Sequence, residues 1–204
     1  MKNIILCLPV LLLLLGCGAA SSDTPPQNFS PQSEKGLIIG TITFDSDKPQ
    51  YDIYRFFYNA TSGDKKFKKR NAGKFIIKAR EENVRGFNGD FNDKKTYLFV
   101  IEREPGSYAF DQYNYLTHIG PSGTVNSSKK FAIPFEIKKG EIGYVGELEF
   151  FGTAEPGSPR IIVSDKLSRD LFEFKKKFPE INWDSAANKT AKSGNTGDGM
   201  ISFQ

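Results

Sequence analysis

Apolar and polar residues alternate in short runs across residues 36–163. Alternation of this kind is typical of a β-strand with one buried and one solvated face. It is clear in Lys74–Arg80 and Phe131–Ile137, whereas Tyr97–Ile101 is apolar throughout, as expected of a central strand. Turn-forming Gly, Asn and Asp residues separate the runs. The pattern therefore predicts a mainly β domain, an antiparallel sandwich or barrel of about seven strands.

The period of the pattern changes after residue 163. Apolar residues then recur at the spacing of one helical face, at Leu167, Leu171, Phe174 and Phe178. Ser164 can cap the N-terminus of a helix here, and Pro179 can stop it. We therefore predict an amphipathic helix over residues 164–179 that caps an open edge or end of the β domain.

The segments on either side of this region are polar. Residues 17–35 are rich in Ser, Pro and Gln, and they predict a flexible tether because they offer little surface to bury. Residues 180–204 turn small and polar after Trp183, and they predict a loose C-terminal tail. A short edge strand at residues 200–203 is the alternative.

Residues 1–16 have the features of a secretory signal peptide, since one early Lys precedes an apolar run and a small residue. The run is shorter than the roughly 20 residues that a membrane-spanning helix needs. Residues 14–17, Leu-Leu-Gly-Cys, resemble the lipobox of bacterial lipoproteins. That resemblance implies cleavage before Cys17, acylation of this cysteine with palmitate or similar chains, and an anchor in the lipid bilayer. Gly18 and Ala19 follow instead of an Asp, which favours the outer membrane.

Two other runs resemble the small prealbumin-like sandwiches that occur as carboxypeptidase regulatory-type modules in exported bacterial proteins. Residues 104–110 contain the Pro-Gly-x-Tyr-x-Phe turn and strand of that group. Residues 135–146 resemble the paired strands of uncharacterised bacterial lipoproteins of this build. The resemblance implies a single antiparallel β-sandwich over residues 36–163, and it transfers no catalytic residue.

Composition narrows the choice of partners and cofactors. The chain has 28 basic and 24 acidic side chains, a near balance that argues against nucleic-acid binding. Cys7 leaves with the signal peptide and Cys17 is expected to be lipidated, so we predict no disulfide, transition-metal site or cofactor. Residues 88–93 have the oxygen spacing of a calcium loop but lack its Gly and its final Glu. An Asx-rich turn is the preferred interpretation.

The enzyme alternative is a hydrolase acting on an envelope polymer. It would pair Ser122 with His118 and with an aspartate such as Asp111. The nucleophile elbow of such enzymes needs a Gly where Thr124 stands, and it needs a helix to follow. A non-catalytic protein is therefore the favoured interpretation.

Two groups of residues are candidates for contact with a partner. A dense basic run at a predicted hairpin tip could bind an anionic glycolipid or lipid phosphates, the alternative being a solvated loop: Lys65, Lys66, Lys68, Lys69 and Arg70. Tyr113 and Tyr115 should lie on the strand face opposite Tyr108 and Phe110. They are therefore predicted to be exposed and to contact a sugar or an envelope protein. Together these patterns predict a lipid-anchored, non-catalytic binding or structural accessory module.

Overall fold

The computed structural model of the chain describes residues 25–81, 84–119 and 122–204. In chain order their elements are β1 (Gly36–Phe44), β2 (Ile53–Ala60), α1 (Lys65–Arg70), β3 (Gly73–Lys78), β4 (Arg80–Glu81), β5 (Val84–Arg85), β6 (Thr96–Arg103), β7 (Gly106–Ile119), β8 (Ser122–Ser127), β9 (Ile133–Ile137), β10 (Ile142–Phe150), β11 (Ile161–Ser164), α2 (Leu167–Lys177), β12 (Ala187–Asn188) and β13 (Ile201–Phe203). The prediction of a mainly β chain is confirmed. None of the helices in these ranges is long and apolar enough to cross a membrane.

The first sheet has the strand order β13-β11-β10-β1-β6, and β12 also pairs with β10. Its central pair, β1 and β10, is parallel, as are β10 with β12 and β11 with β13. The prediction of antiparallel strands is therefore wrong for these pairs. Parallel neighbours need a long connection, and here the second sheet lies between β1 and β10 in the chain. The strand count also exceeds the predicted seven, because several strands are too short to produce visible alternation.

The second sheet is antiparallel and has the order β3-β2-β7-β8, with β9 also paired to β7. Strand β7 is 14 residues long and organises this sheet. One of its sides pairs with β2, while the other side pairs first with β9 and then with β8. Strands β4 and β5 form a separate two-stranded ladder.

The inner faces of the two sheets share one hydrophobic cluster that is rich in aromatic rings. Rings from opposite sheets make edge contacts, with centroids 4.7 Å apart for Phe44 and Tyr54 and 5.8 Å apart for Phe150 and Phe56. Such edge contacts stabilise the core beyond the effect of the surface area that the rings bury. The alternating aromatic residues of the strands therefore form the core between the sheets.

Helix α2 lies on the outer face of the first sheet, where Phe174 packs in a second hydrophobic cluster with strand residues such as Leu37 and Ile39. The predicted role as an edge cap is therefore wrong, because the helix covers a face. The helix also begins later than predicted. Ser164 ends β11, and the Asp165 carboxylate accepts a hydrogen bond of 3.0 Å from the Leu167 amide instead.

A buried polar network joins α2 to the first sheet. The Asp170 carboxylate is fully buried and accepts hydrogen bonds from the Thr41 and Tyr144 hydroxyls, at 2.8 and 2.7 Å. Arg169 donates to Asp170 at 2.7 Å and to the buried Glu147 carboxylate at 2.8 Å. The network therefore fixes where the helix sits on the sheet.

Both terminal segments pack on the sheets where the structure describes them. Phe29 contacts the second hydrophobic cluster, so residues 25–35 differ from the predicted flexible tether. Trp183 is buried in the same cluster, and its indole N–H donates to the Phe178 carbonyl at 2.8 Å. Residues 201–203 form the edge strand β13, which pairs with β11. The expectation of a loose tail is wrong for these residues.

Candidate functional site

The predicted lipidation site, Cys17, lies outside the described residues, as does the whole signal peptide. The described residues begin at Pro25. Eight residue steps of the chain separate that position from Cys17. The lipid anchor therefore remains a prediction from the sequence.

The basic run 65–70 lies at the tip of the antiparallel β2-β3 hairpin, as predicted, and forms the short helix α1 there. The Asp64 carboxylate caps it by accepting a hydrogen bond of 2.7 Å from the Phe67 amide. The Phe67 ring anchors the helix 6.5 Å from the Tyr108 ring. Arg70 pairs with Glu104 at 3.2 Å, which lowers the pKa of this exposed carboxyl. The four predicted lysines are exposed: Lys65, Lys66, Lys68 and Lys69.

The prediction that Tyr113 is exposed is wrong. The register between β2 and β7 shifts so that Phe57 faces Gln112 and Tyr58 faces Phe110, which leaves Asp111 as an extra residue. This bulge turns the following residues over, so Tyr113 points into the core and only 6% of it is exposed.

Tyr115 lies on the same side of β7 and is half-buried. Its ring stacks on that of Tyr51, with centroids 3.7 Å apart. Burial, together with the hydrogen bond between the Tyr51 and Tyr115 side chains, raises the pKa of Tyr51 to about 12. The rings of both predicted tyrosines therefore pack against other residues of the protein.

The structure separates one of the proposed hydrolase residues, Asp111, from the other two. Ser122 pairs with Ile119, the residue after His118, so Ser122 and His118 lie on adjacent strands. Asp111 and His118 are seven residues apart in one strand, a distance of about 23 Å at the usual strand rise. The Asp111 carboxylate contacts Asn59 at 3.1 Å and Lys130 at 3.3 Å. The His118 side chain lies outside the described part of the structure, whereas Ser122 is exposed at the start of β8. Asp111 is thus too far away to orient His118.

Residues 88–93 form a turn in which protein groups already use the side-chain oxygens. Asp90 accepts a hydrogen bond of 2.7 Å from the Leu98 amide and also pairs with Lys177. The Asn88 carbonyl accepts one of 3.0 Å from the Tyr97 hydroxyl. Asn92 has a φ of 54°, as Asx-rich turns allow. Among the described residues, no group of three His, Cys, Asp or Glu side chains could hold a metal.

An apolar groove of about 260 Å³ opens between the edge strands β3 and β6. Ile76 and Leu98 line its two walls, and Phe178 and Pro25 lie beside them. Lys177 is the charged member of the lining. This groove can accept an apolar group, but it lacks the convergent polar groups of a catalytic site.

The outward side of the second sheet, which we call the open face, is the best candidate for binding. Among the described residues, the long helix α2 packs on the first sheet, and the terminal strands β12 and β13 pair within it, so none of these elements covers the open face. The ladder registers place its side chains in three rows: Lys74-Phe57-Gln112, Ile76-Arg55-Asn114-Ser127 and Lys78-Ile53-Leu116-Val125. Apart from Ile53, these side chains are half-buried or exposed.

The charges on the open face are positive and only partly compensated. Within the described residues, neither Arg55 nor Lys74 has a carboxylate within salt-bridge distance. The Lys74 ammonium lies 5.9 Å from the centre of the Phe57 ring. The side-chain carbonyl of Asn114 is buried and has no hydrogen-bond partner among the residues described. Arg55 and Lys74 therefore retain binding capacity that contacts within the described residues do not use.

Only part of this surface could be predicted from the sequence. Lys74 and Lys78 were visible as the polar members of an alternating run, which predicts a wet strand face. Gln112 and Asn114 could not be placed beside Phe57 and Arg55, because their orientation depends on the bulge in β7.

Comparison with known proteins adds little to this picture. No family model and no curated protein matches the chain. Among solved structures, a leucine-rich repeat protein from Bacteroides thetaiotaomicron is similar with a TM-score of 0.32 and 9% identity. The match covers 69% of this chain and 16% of that protein. A likeness this weak carries no argument about fold or function.

Proposed function

We propose that this protein is a lipid-anchored, non-catalytic binding module of the bacterial cell envelope, held in the outer membrane through acylated Cys17. The lipobox-like residues 14–17 support the anchor. In this proposal the scaffold is a prealbumin-like β-sandwich. Two sheets with a shared aromatic core support that architecture.

The observation that carries the proposal is the open face. This face presents Arg55 and Lys74, and neither has a carboxylate partner among the described residues, so the field of their positive charges can act on a ligand. The exposed lysines of α1 continue the positive charge beyond the ends of β2 and β3, because α1 connects these two strands. An uncovered cationic face on a rigid scaffold is suited to binding an anionic partner.

The first experiment tests anchoring. The intact chain and Cys17→Ala are expressed in cells fed an alkyne analogue of palmitate, and the label on each protein is measured. We expect label on the intact chain and none on the variant. Label on both, or on neither, would overturn the anchor.

The second experiment tests the module. Crosslinking in intact membranes is followed by recovery of the lipoprotein and its partners. We expect a specific envelope partner that is lost in Cys17→Ala. Recovery of lipids and bulk envelope proteins alone would contradict a binding role.

A further inference from the structure

The cations of the open face form a track along the β2-β3 hairpin. Lys74 and Arg55 are diagonal neighbours across the two strands, about 8 Å apart in such a ladder. Lys78 lies four residues from Lys74 on the same side of β3, a span of about 13 Å. The α1 lysines extend the line past the end of the hairpin. Positive charge therefore follows one direction across the surface instead of forming a single cluster.

Hydrogen-bonding amides lie beside this track. Gln112 is opposite Phe57, and Asn114 is opposite Arg55, both on the neighbouring strand β7. A primary amide offers both a donor and an acceptor, which is the combination that a sugar hydroxyl requires. The half-buried Phe57 ring between Lys74 and Gln112 supplies an apolar surface on which the C–H side of a sugar ring can lie.

We infer that the open face binds a linear acidic polysaccharide. Arg55 and Lys74 pair with its carboxylates, while the Gln112 amide hydrogen-bonds to its hydroxyls. The inference rests on the proposed function, since it names the ligand class of the same face.

The geometry favours a polymer of this kind over an anionic bilayer. A bilayer surface would contact the exposed lysines of α1, but it would not reach Arg55, a half-buried residue that lies between Ile76 and Asn114 in the middle of a sheet. A chain of sugar rings can lie flat on the sheet and reach both Arg55 and the lysines of α1.

The test measures binding of the intact lipoprotein in detergent to polygalacturonate by isothermal titration calorimetry. The control polymer is the same polygalacturonate after methyl esterification, which removes the charge and keeps the rings. The double variant Arg55→Gln/Lys74→Gln removes the central cations. Its matched control, Lys166→Gln/Lys192→Gln, removes the same charge from exposed positions at the start of α2 and in the C-terminal segment. Thermal midpoints of all variants check that they fold.

We expect binding to polygalacturonate that weakens with salt, and no binding to the methyl ester. The open-face double variant should lose about tenfold in affinity or more, because charge-assisted hydrogen bonds are removed, while the control variant stays within about twofold.

Equal losses in the two double variants would overturn the inference, since bulk charge would then explain the binding. Equal binding of the ester, or no binding of either polymer, would also overturn it. Binding to micelles with phosphatidylglycerol but not to polygalacturonate would identify a membrane surface instead. These outcomes are independent of palmitate labelling, so a failure of the anchor is distinguishable from a failure of the site.

Discussion

The outer faces of the two sheets differ in what covers them. On the first sheet, Phe174 and Trp183 close over an apolar strand surface, and a buried network around Asp170 locks the helix in place. On the second sheet, the corresponding side chains are cations, amides and a few apolar residues that no helix of comparable length covers within the described ranges. The chain therefore places its covering elements where apolar strand surface would otherwise be exposed.

This difference separates stability from recognition. Apolar strand residues on the first sheet require a cover, because exposing them to water would forfeit their burial energy. The second sheet gains its stability from its packed inner face, so the residues on its outer face can change without a loss of core packing. Substitutions on the covered face should reduce stability, whereas substitutions on the open face should affect only binding.

The largest effect is expected from Phe174→Ala. This ring is fully buried, so its removal should lower the free energy of unfolding by about 3–5 kcal/mol through lost burial and a new cavity. Phe172→Ala on the same helix is the matched control, because Phe172 is 65% exposed, and it should cost no more than about 0.5 kcal/mol. Urea unfolding measures both. Equal costs would mean that α2 does not hold the first sheet.

Asp170→Asn should have the next largest effect, about 2 kcal/mol. Thr41, Tyr144 and Arg169 all donate to this carboxylate, so an amide group must place its own N–H groups against a donor. The control, Asp184→Asn, alters an exposed ion pair with Lys175 and should change little. Denaturant midpoints of the two variants give the comparison. A neutral Asp170→Asn would show that the network adds no stability.

Tyr144→Phe should cost about 1 kcal/mol at neutral pH, since Asp170 loses a donor. Burial, reinforced by the negative charge of Asp170, raises the pKa of Tyr144. The folded state thus keeps this proton when an unfolded tyrosine would lose it, near pH 10. The contribution is complete below that pH and declines as the pH rises above it. The free energy of unfolding, measured from pH 8 to 11, should fall less steeply for the variant than for the parent protein. Parallel curves would contradict the role given to Tyr144.

The smallest effect on stability is expected from Arg55→Gln/Lys74→Gln. Neither cation has a carboxylate partner among the described residues, so the free energy of unfolding should stay within about 0.5 kcal/mol of the parent value. The same urea experiment measures it. A decrease in the free energy of unfolding as large as that expected for Asp170→Asn would show that the open face contributes to the stability of the fold.

Local patterning predicted the class of the fold but not its connectivity. Alternation along Phe131–Ile137 and the helical stripe from Leu167 to Phe178 depend on neighbours in sequence, and both appear in the structure. Parallel pairing of β1 with β10 depends on contacts between distant parts of the chain, which no local period encodes. Strand β12, with two residues, is too short to give any signal.

The candidate site depended on one irregularity that the sequence conceals. The extra residue at Asp111 reverses the sides of β7, so Tyr113 turns inward and Gln112 and Asn114 turn outward. A strict period of two gives the opposite assignment at each of these positions. The pairing of β3 with β2 has no bulge, so the alternation around Lys74 predicted its outward direction correctly.

The packing of residues 25–35 on the domain has a consequence for how the protein would stand on a membrane. If Cys17 carries the acyl chains, the eight steps to Pro25 reach at most about 29 Å even when fully extended. Pro25 lies at the groove between β3 and β6, and β3 is also the border of the open face. The point of attachment would then sit at one flank of the cationic surface. A polymer bound there would be held close to the lipid headgroups, with its long axis set by the direction of the β2-β3 hairpin.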